Sequence, residues 1–280
     1  MSLKFKNKKT KFIIGYGLII IFLIVFIYST YKIIYWKIDE IKTNKQLEEL
    51  NNLASIEESN TNPEDLIVNP PDEDEEEQTN NDYWDYIKIP LINVNFDDLL
   101  IKNSDTVGWL FVDGTNINYP VVQSKNNSYY LYHSFDKSKN YAGWIFADYR
   151  NNMVSLGKNT IIYGHGRLDK TMFGTLKYIV KSSWFKDTEN HIVKLSTPTE
   201  NTLWQVFSVY HIPTESYYIT TDFGTDESFE LFINTMKERS FYNFEATVNK
   251  DDKVLTLSTC WNKKERVVLH AKLIKTNEKR

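Results

Sequence analysis

Cys260 is the only cysteine in the 280-residue chain, and it closes the apolar run Val254-Leu255-Thr256-Leu257-Ser258-Thr259. Arg266 follows after a short connection and opens another β-rich run. His165 follows Thr160-Ile161-Ile162-Tyr163 and stands between Gly164 and Gly166. These three residue types could together perform acyl transfer. A free thiol ionises near pH ~8.5, so at neutral pH it needs an imidazole or a cation beside it to raise its thiolate content. The same imidazole can protonate a leaving amine. A guanidinium can donate hydrogen bonds to a carbonyl oxygen that gains charge during attack.

The elements around them decide how far this goes. A connection as short as 261–265 makes a hairpin, so Cys260 and Arg266 share one end of a sheet. His165 also sits at a strand end, and its flanking glycines let the backbone turn tightly. Spacing does not bring His165 to the other two. Each residue also has a plain structural role: the cysteine as a small buried hydrophobe, the histidine at a turn or core edge, the arginine as a surface base. At this level both readings stand.

Short runs rich in β-branched and aromatic residues occupy 107–112, 118–123, 143–148, 159–163, 191–196, 203–211, 254–259 and 266–273. Eight short strands with few long helices predict an all-β barrel or sandwich. Two helices accompany these strands, the first ahead of them and the second among them. One is short, with Asn95 as its cap, Asp97 and Asp98 in its first turn, Phe96, Leu99 and Leu100 on one side, and Lys102 at its end. The other covers 226–239, with Phe229, Phe232, Ile233 and Met236 on one face. It lies in the long connection before the cysteine strand, a natural wall for a substrate groove.

The net charge of −4 describes no part of the molecule. Residues 1–37 hold seven lysines and no acid; residues 38–82 hold 15 acids and two lysines; the remainder is close to neutral at +2. A near-neutral folded part argues against nucleic acid as a partner. A single cysteine excludes a disulfide scaffold and a cysteine-based zinc site. Residues 12–31 form a run of 20 uncharged, mostly apolar residues, long enough as a helix to cross the ~30 Å of a bilayer core. Lysines crowd its near end and tyrosines its far end, which predicts an N-terminus inside and the rest outside. A cleaved signal peptide would be shorter and would end in a small-residue site, which Tyr28-Ser29-Thr30-Tyr31-Lys32 does not offer. The expected organisation is a basic cytoplasmic N-terminus at 1–11, a transmembrane helix at 12–31, an extracytoplasmic stalk at 32–82 and a folded domain at 83–280. Within the stalk, 37–58 carries the spacing of an amphipathic helix. The acidic run 72–77 after Pro70-Pro71 reads as a solvated linker.

Thr256-Leu257-Ser258-Thr259-Cys260 with a downstream arginine resembles the signature of sortases, the membrane-anchored cysteine transpeptidases of Gram-positive bacteria. Further segments resemble class B sortases in particular: Gly108-Trp109-Leu110, the stretch 113–123, Asn126-Asn127-Ser128-Tyr129-Tyr130-Leu131 with His133, the stretch 143–150, Tyr163-Gly164-His165, and Met172-Phe173-Gly174-Thr175-Leu176. They run in family order over residues 95–274. The resemblance implies an eight-stranded barrel with N-terminal helices and a helix before the cysteine strand. It also implies a catalytic set of Cys260, His165 and Arg266, with His133 structural. No cofactor and no metal are implied; the calcium of class A members is not carried over. Two departures stand out. The gap from Cys260 to Arg266 is shorter than in other class B members, and Asn262 stands where some relatives carry an acid.

The resemblance implies an enzyme that cleaves a C-terminal sorting motif of secreted proteins after Thr through a cysteine thioester. The acyl group would pass to an amine of peptidoglycan or its lipid-linked precursor. Polymerisation of pilins by the same chemistry is one alternative. Another is an L,D-transpeptidase acting on peptidoglycan peptides, which would bear a Ser-x-Gly-Cys type motif in place of Leu257-Ser258-Thr259-Cys260. A non-enzymatic adhesion or pilus domain would retain every function in Cys260→Ala.

Overall fold

The computed structural model describes residues 8–59, 66–68, 83–260 and 264–279. The first element among the described residues is a helix, α1 (Lys8–Ala54), followed by the short strands β1 (Glu57–Glu58) and β2 (Ile67–Val68). Next come α2 (Tyr83–Tyr86), β3 (Ile92–Asn93) and α3 (Asp97–Lys102). The remaining strands are β4 (Thr106–Val112), β5 (Asn118–Val122), β6 (Phe146–Ala147), β7 (Asn159–Tyr163), β8 (Ile192–Ser196), β9 (Glu200–Pro213), β10 (Val254–Cys260) and β11 (Glu265–Glu278). Two helices fall among them, α4 (Ser182–Phe185) and α5 (Asp226–Arg239).

β4 to β11 make a closed barrel of eight strands. The order is β10-β7-β6-β5-β4-β8-β9-β11, and β11 returns to pair with β10. The pairings β5–β6 and β7–β10 are parallel and the others antiparallel, so the barrel is mixed. All eight expected strands are present. The expected run 143–148 shortens to β6 because Gly143 adopts φ +63°, a left-handed turn conformation, before pairing begins. β9 and β11 extend to 14 residues each.

One cluster fills the barrel, with Trp109, Trp144, Trp204, Val209, Leu257 and Leu269 among its buried members. Leu50 and Ala54 are fully buried in that cluster, and Leu47 and Leu53 pack on it. Residues that the sequence places on a stalk are therefore part of the packed domain, because the apolar stripe of this helix meets the barrel's side chains. A second cluster covers the outer face of β9, β10 and β11: Phe229, Phe232, Ile233 and Met236 of α5 pack there on Phe207, Tyr210, Val254 and Val268. Burial on both faces leaves nearly the whole of β9 out of solvent, its polar Asn201, Gln205 and Ser208 included. α5 is capped as its sequence demands, Thr225 and Ser228 forming a reciprocal capping box.

The shorter helix α3 differs slightly from its prediction. The Asn95 side chain accepts a bond from the Asp97 amide (2.9 Å), but Phe96 is the residue at the N-cap position. Phe96 and Leu99 are buried, whereas Leu100 faces solvent. The apolar residues of α1 from Phe12 to Trp36 are largely exposed, and this stretch is long and apolar enough to cross a membrane. The acidic run 72–77 and most of the basic N-terminus lie outside the described residues.

Candidate active site

Cys260 and Arg266 are direct cross-strand partners at the end of the β10–β11 hairpin. The parallel pairing of β7 with β10 is what brings in the histidine. Ser258 stands opposite Tyr163, so the chain leaving β7 emerges at the end of the barrel where β10 finishes. Two bonds tie the exits together: the Gly164 amide donates to the Ser258 carbonyl (3.4 Å), and the Thr259 hydroxyl donates to the Gly164 carbonyl (2.8 Å). His165, Thr259 and Arg266 line one cavity of about 400 Å³. The cysteine strand, the histidine and the arginine thus converge at one barrel end, as the sequence alone does not show.

The imidazole is held by backbone groups. Nε2 lies 2.9 Å from the Leu131 carbonyl oxygen. A carbonyl only accepts, so Nε2 carries the proton and Nδ1 is the atom that gains or loses one. Gly143 packs under the ring: a Cβ there would lie 3.0 Å from Cδ2 of His165 and 2.6 Å from the Tyr130 carbonyl oxygen. Gly164 has a different purpose from the tight turn expected. Its φ is not left-handed; its missing side chain admits the Phe173 ring, which a Cβ would meet at 2.7 Å. The half-buried Arg266 donates from Nη1 to the Glu265 carbonyl (3.1 Å). His133 takes no part in the cavity. It stacks on Tyr129 at 4.1 Å between centroids and bonds through Nδ1 to the Tyr129 carbonyl oxygen (2.8 Å).

The far wall of the cavity is the segment after β9, with Thr214, Glu215, Tyr218 and Ile219. Tyr218 reaches across to Ser258, hydroxyl to hydroxyl at 3.0 Å. This segment belongs to the long connection before the cysteine strand that was expected to wall the groove; α5, in the same connection, stands behind it, packed against Tyr218 in the outer cluster. Which residues of the connection form the wall has no signal in the sequence, since 214–219 shows neither helical nor strand periodicity. Asn127, Leu131 and Tyr163 also line the cavity; they fall within quoted motifs, although residue type alone assigns them no task. Among the described residues no group of three or more His, Cys, Asp or Glu side chains is placed to hold a metal ion.

Residues 110–274 match the Sortase domain family. The chain belongs to the sortase B family. Sortase B of Listeria monocytogenes is 38% identical over 181 residues, covering 63% of this chain and 73% of the relative. The fold of a Staphylococcus aureus sortase B–substrate complex superposes with a TM-score of 0.61 at 38% identity, over 64% of this chain and 84% of that one. Sortase B from B. anthracis in complex with AAEK1 gives a TM-score of 0.66 at 33% identity, over 85% and 99% of the two chains. Sortases are cysteine transpeptidases that act on sorting-motif substrates. The mixed eight-stranded barrel is this family's fold, as its motifs implied.

Proposed function

We propose that this sortase is held in the membrane by residues 12–31, with its N-terminus in the cytoplasm and its barrel outside. There it joins secreted proteins to the cell wall. Cys260 is the nucleophile, His165 the general acid and base, and Arg266 the oxyanion donor. The observation that carries this is the convergence of the Cys260–Arg266 hairpin and His165 on one cavity.

The Cys260 thiolate adds to the Thr carbonyl carbon of the sorting motif, and the electron pair of the C=O bond moves onto oxygen. Arg266 donates hydrogen bonds to that oxyanion. As the carbonyl re-forms, the C–N bond breaks, and the departing amine takes a proton from Nδ1 of His165. The thioester left on Cys260 keeps its acyl reactivity, so an amine can attack it without nucleotide activation. That amine, from a peptidoglycan stem or cross-bridge, gives up a proton to His165, and the thiolate leaves. Fixing the Nε2 proton on the Leu131 carbonyl dedicates Nδ1 to both transfers.

The test uses the full-length chain in detergent with peptides of the types Asn-Pro-x-Thr-x, Ser-Pro-x-Thr-Gly and Leu-Pro-x-Thr-Gly. Cleavage after Thr, with an acyl adduct on Cys260 by intact mass that is absent in Cys260→Ala, is the expected result. No adduct with any peptide would refute the proposal.

A further inference from the structure

Asp148 and Arg150 follow directly on β6 and belong to none of the roles assigned so far. The Asp148 side chain is wholly excluded from solvent, so its charge must be satisfied by protein groups. Five donors do this. Arg150 Nε (2.8 Å) and the Arg150 amide (3.0 Å) reach Oδ1. Arg150 Nη2 (2.7 Å), Asn127 Nδ2 (2.9 Å) and the Tyr163 hydroxyl (2.9 Å) reach Oδ2. Burial works to raise this carboxyl's pKa, but the bonds from Arg150, Tyr163 and Asn127 outweigh it and hold the pKa below the ordinary value, so the group is ionised. Arg150 Nη2 also donates to the Ile219 carbonyl (3.0 Å).

Asn127, Tyr163 and Ile219 each line the catalytic cavity, from three separate segments of the chain. An ionised carboxylate only accepts. It therefore compels Asn127 to turn its amide nitrogen inward, while the Asn127 carbonyl takes the Tyr149 amide (3.0 Å). It compels Tyr163 to direct its proton at Asp148. What each has left is then determined: Asn127 keeps an N–H to donate, and Tyr163 keeps an oxygen that accepts. The guanidinium meanwhile spans from the carboxylate to the backbone of the wall segment Tyr217–Ile219.

We infer that Asp148 and Arg150 are a positioning pair: they set the hydrogen-bonding polarity of Asn127 and Tyr163 toward the bound peptide and hold the Tyr217–Ile219 wall over it. This rests on the peptide-cleaving function proposed above. The pair touches no reacting atom, so its effect falls on peptide affinity and not on the acyl-transfer step.

Three variants of the full-length chain test this: Asp148→Asn, Arg150→Lys and Arg150→Ala, assayed with a peptide that the wild type cleaves. Asp148→Asn keeps the shape but adds two N–H groups that oppose Asn127 or Tyr163. It should raise KM by about tenfold or more while changing kcat by less than about threefold, the pattern of lost ground-state binding. Arg150→Lys retains the charge but loses the fork that serves carboxylate and wall together, and should raise KM by less than Arg150→Ala does. Should Asp148→Asn fail to fold, Arg150→Lys carries the test, since it leaves the buried carboxylate opposed by a cation. Unchanged KM in the folded variants, with activity lost only in proportion to folded protein, would overturn the inference. A second arm needs no turnover. Hydrogen exchange in Arg150→Ala should quicken at Tyr217–Ile219 while the β10 and β11 amides keep their protection; unaltered exchange at Tyr217–Ile219 also overturns it. Absence of peptide cleavage by the wild type would instead count against the proposed function, and exchange would still decide whether the pair holds the wall.

Discussion

A methyl group added at residue 143 has no room, because the His165 ring and the Tyr130 carbonyl already occupy its place. Gly143→Ala is therefore expected to displace the imidazole and to strain a left-handed backbone. Measured kcat with a cleaved peptide should fall while the thermal midpoint also drops, whereas Gly157→Ala, where a Cβ meets nothing within 4 Å, should leave kcat unchanged. His165→Ala and Arg266→Ala should each lower turnover by about 10²-fold or more, the usual worth of a general acid or an oxyanion donor. Near-normal rates in either would reject its assigned role. At this scale the sequence revealed the Cys260–Arg266 pair, because a short hairpin leaves no other geometry. It did not reveal the Leu131 carbonyl that holds His165, because a backbone acceptor is independent of residue type.

β10 and β11 are coupled by more than their ladder. His270 is fully buried on β11, cross-strand from Thr256. Its Nε2 accepts from the Tyr210 hydroxyl (2.8 Å). Thr256 directs its own proton to Asn159 Oδ1 (2.6 Å), so Nδ1 of His270 donates to Thr256 Oγ1 (2.9 Å). The neutral ring is fully bonded. Burial first, and Arg239 second, push its pKa from 6.5 down to about 3. Between those values the unfolded chain binds a proton that the folded one refuses. The stabilisation is present in full above pH 6.5 and is lost as the pH falls toward 3. Urea unfolding of His270→Gln should accordingly lose less stability than the wild type between pH 7 and pH 4; equal losses would show that His270 is not responsible. Element positions were the most legible part of the chain. The eight strands followed from β-branched runs and α5 from its helical period, whereas the wall at 214–219 carries no periodicity to read.

The barrel and the end of α1 form one packed body, since Leu50 and Ala54 are buried beside the barrel's own side chains. Leu50→Ala should cost about 2–5 kcal/mol, as truncations of buried leucines do, and Ile41→Ala, at an exposed position of the same helix, close to nothing. Thermal or denaturant unfolding of the two variants distinguishes these values. The apolar stretch of α1 was legible in residues 12–31 and its continuation in 37–58, although the helix ends at Ala54 and Glu57–Glu58 pair as β1; that its C-terminal turns complete a core was not, because only the barrel's surface says what an amphipathic stripe packs against. The parallel pairing of β7 with β10 has a consequence in time as well as space. It joins segments far apart in sequence, and such contacts form late because closing a long loop costs entropy before the pairing repays it. Until β10 joins β7, the segment bearing Cys260 stands apart from the segment bearing His165. The arrangement at this end of the barrel is therefore complete only once the barrel has closed, and a partly folded chain lacks it.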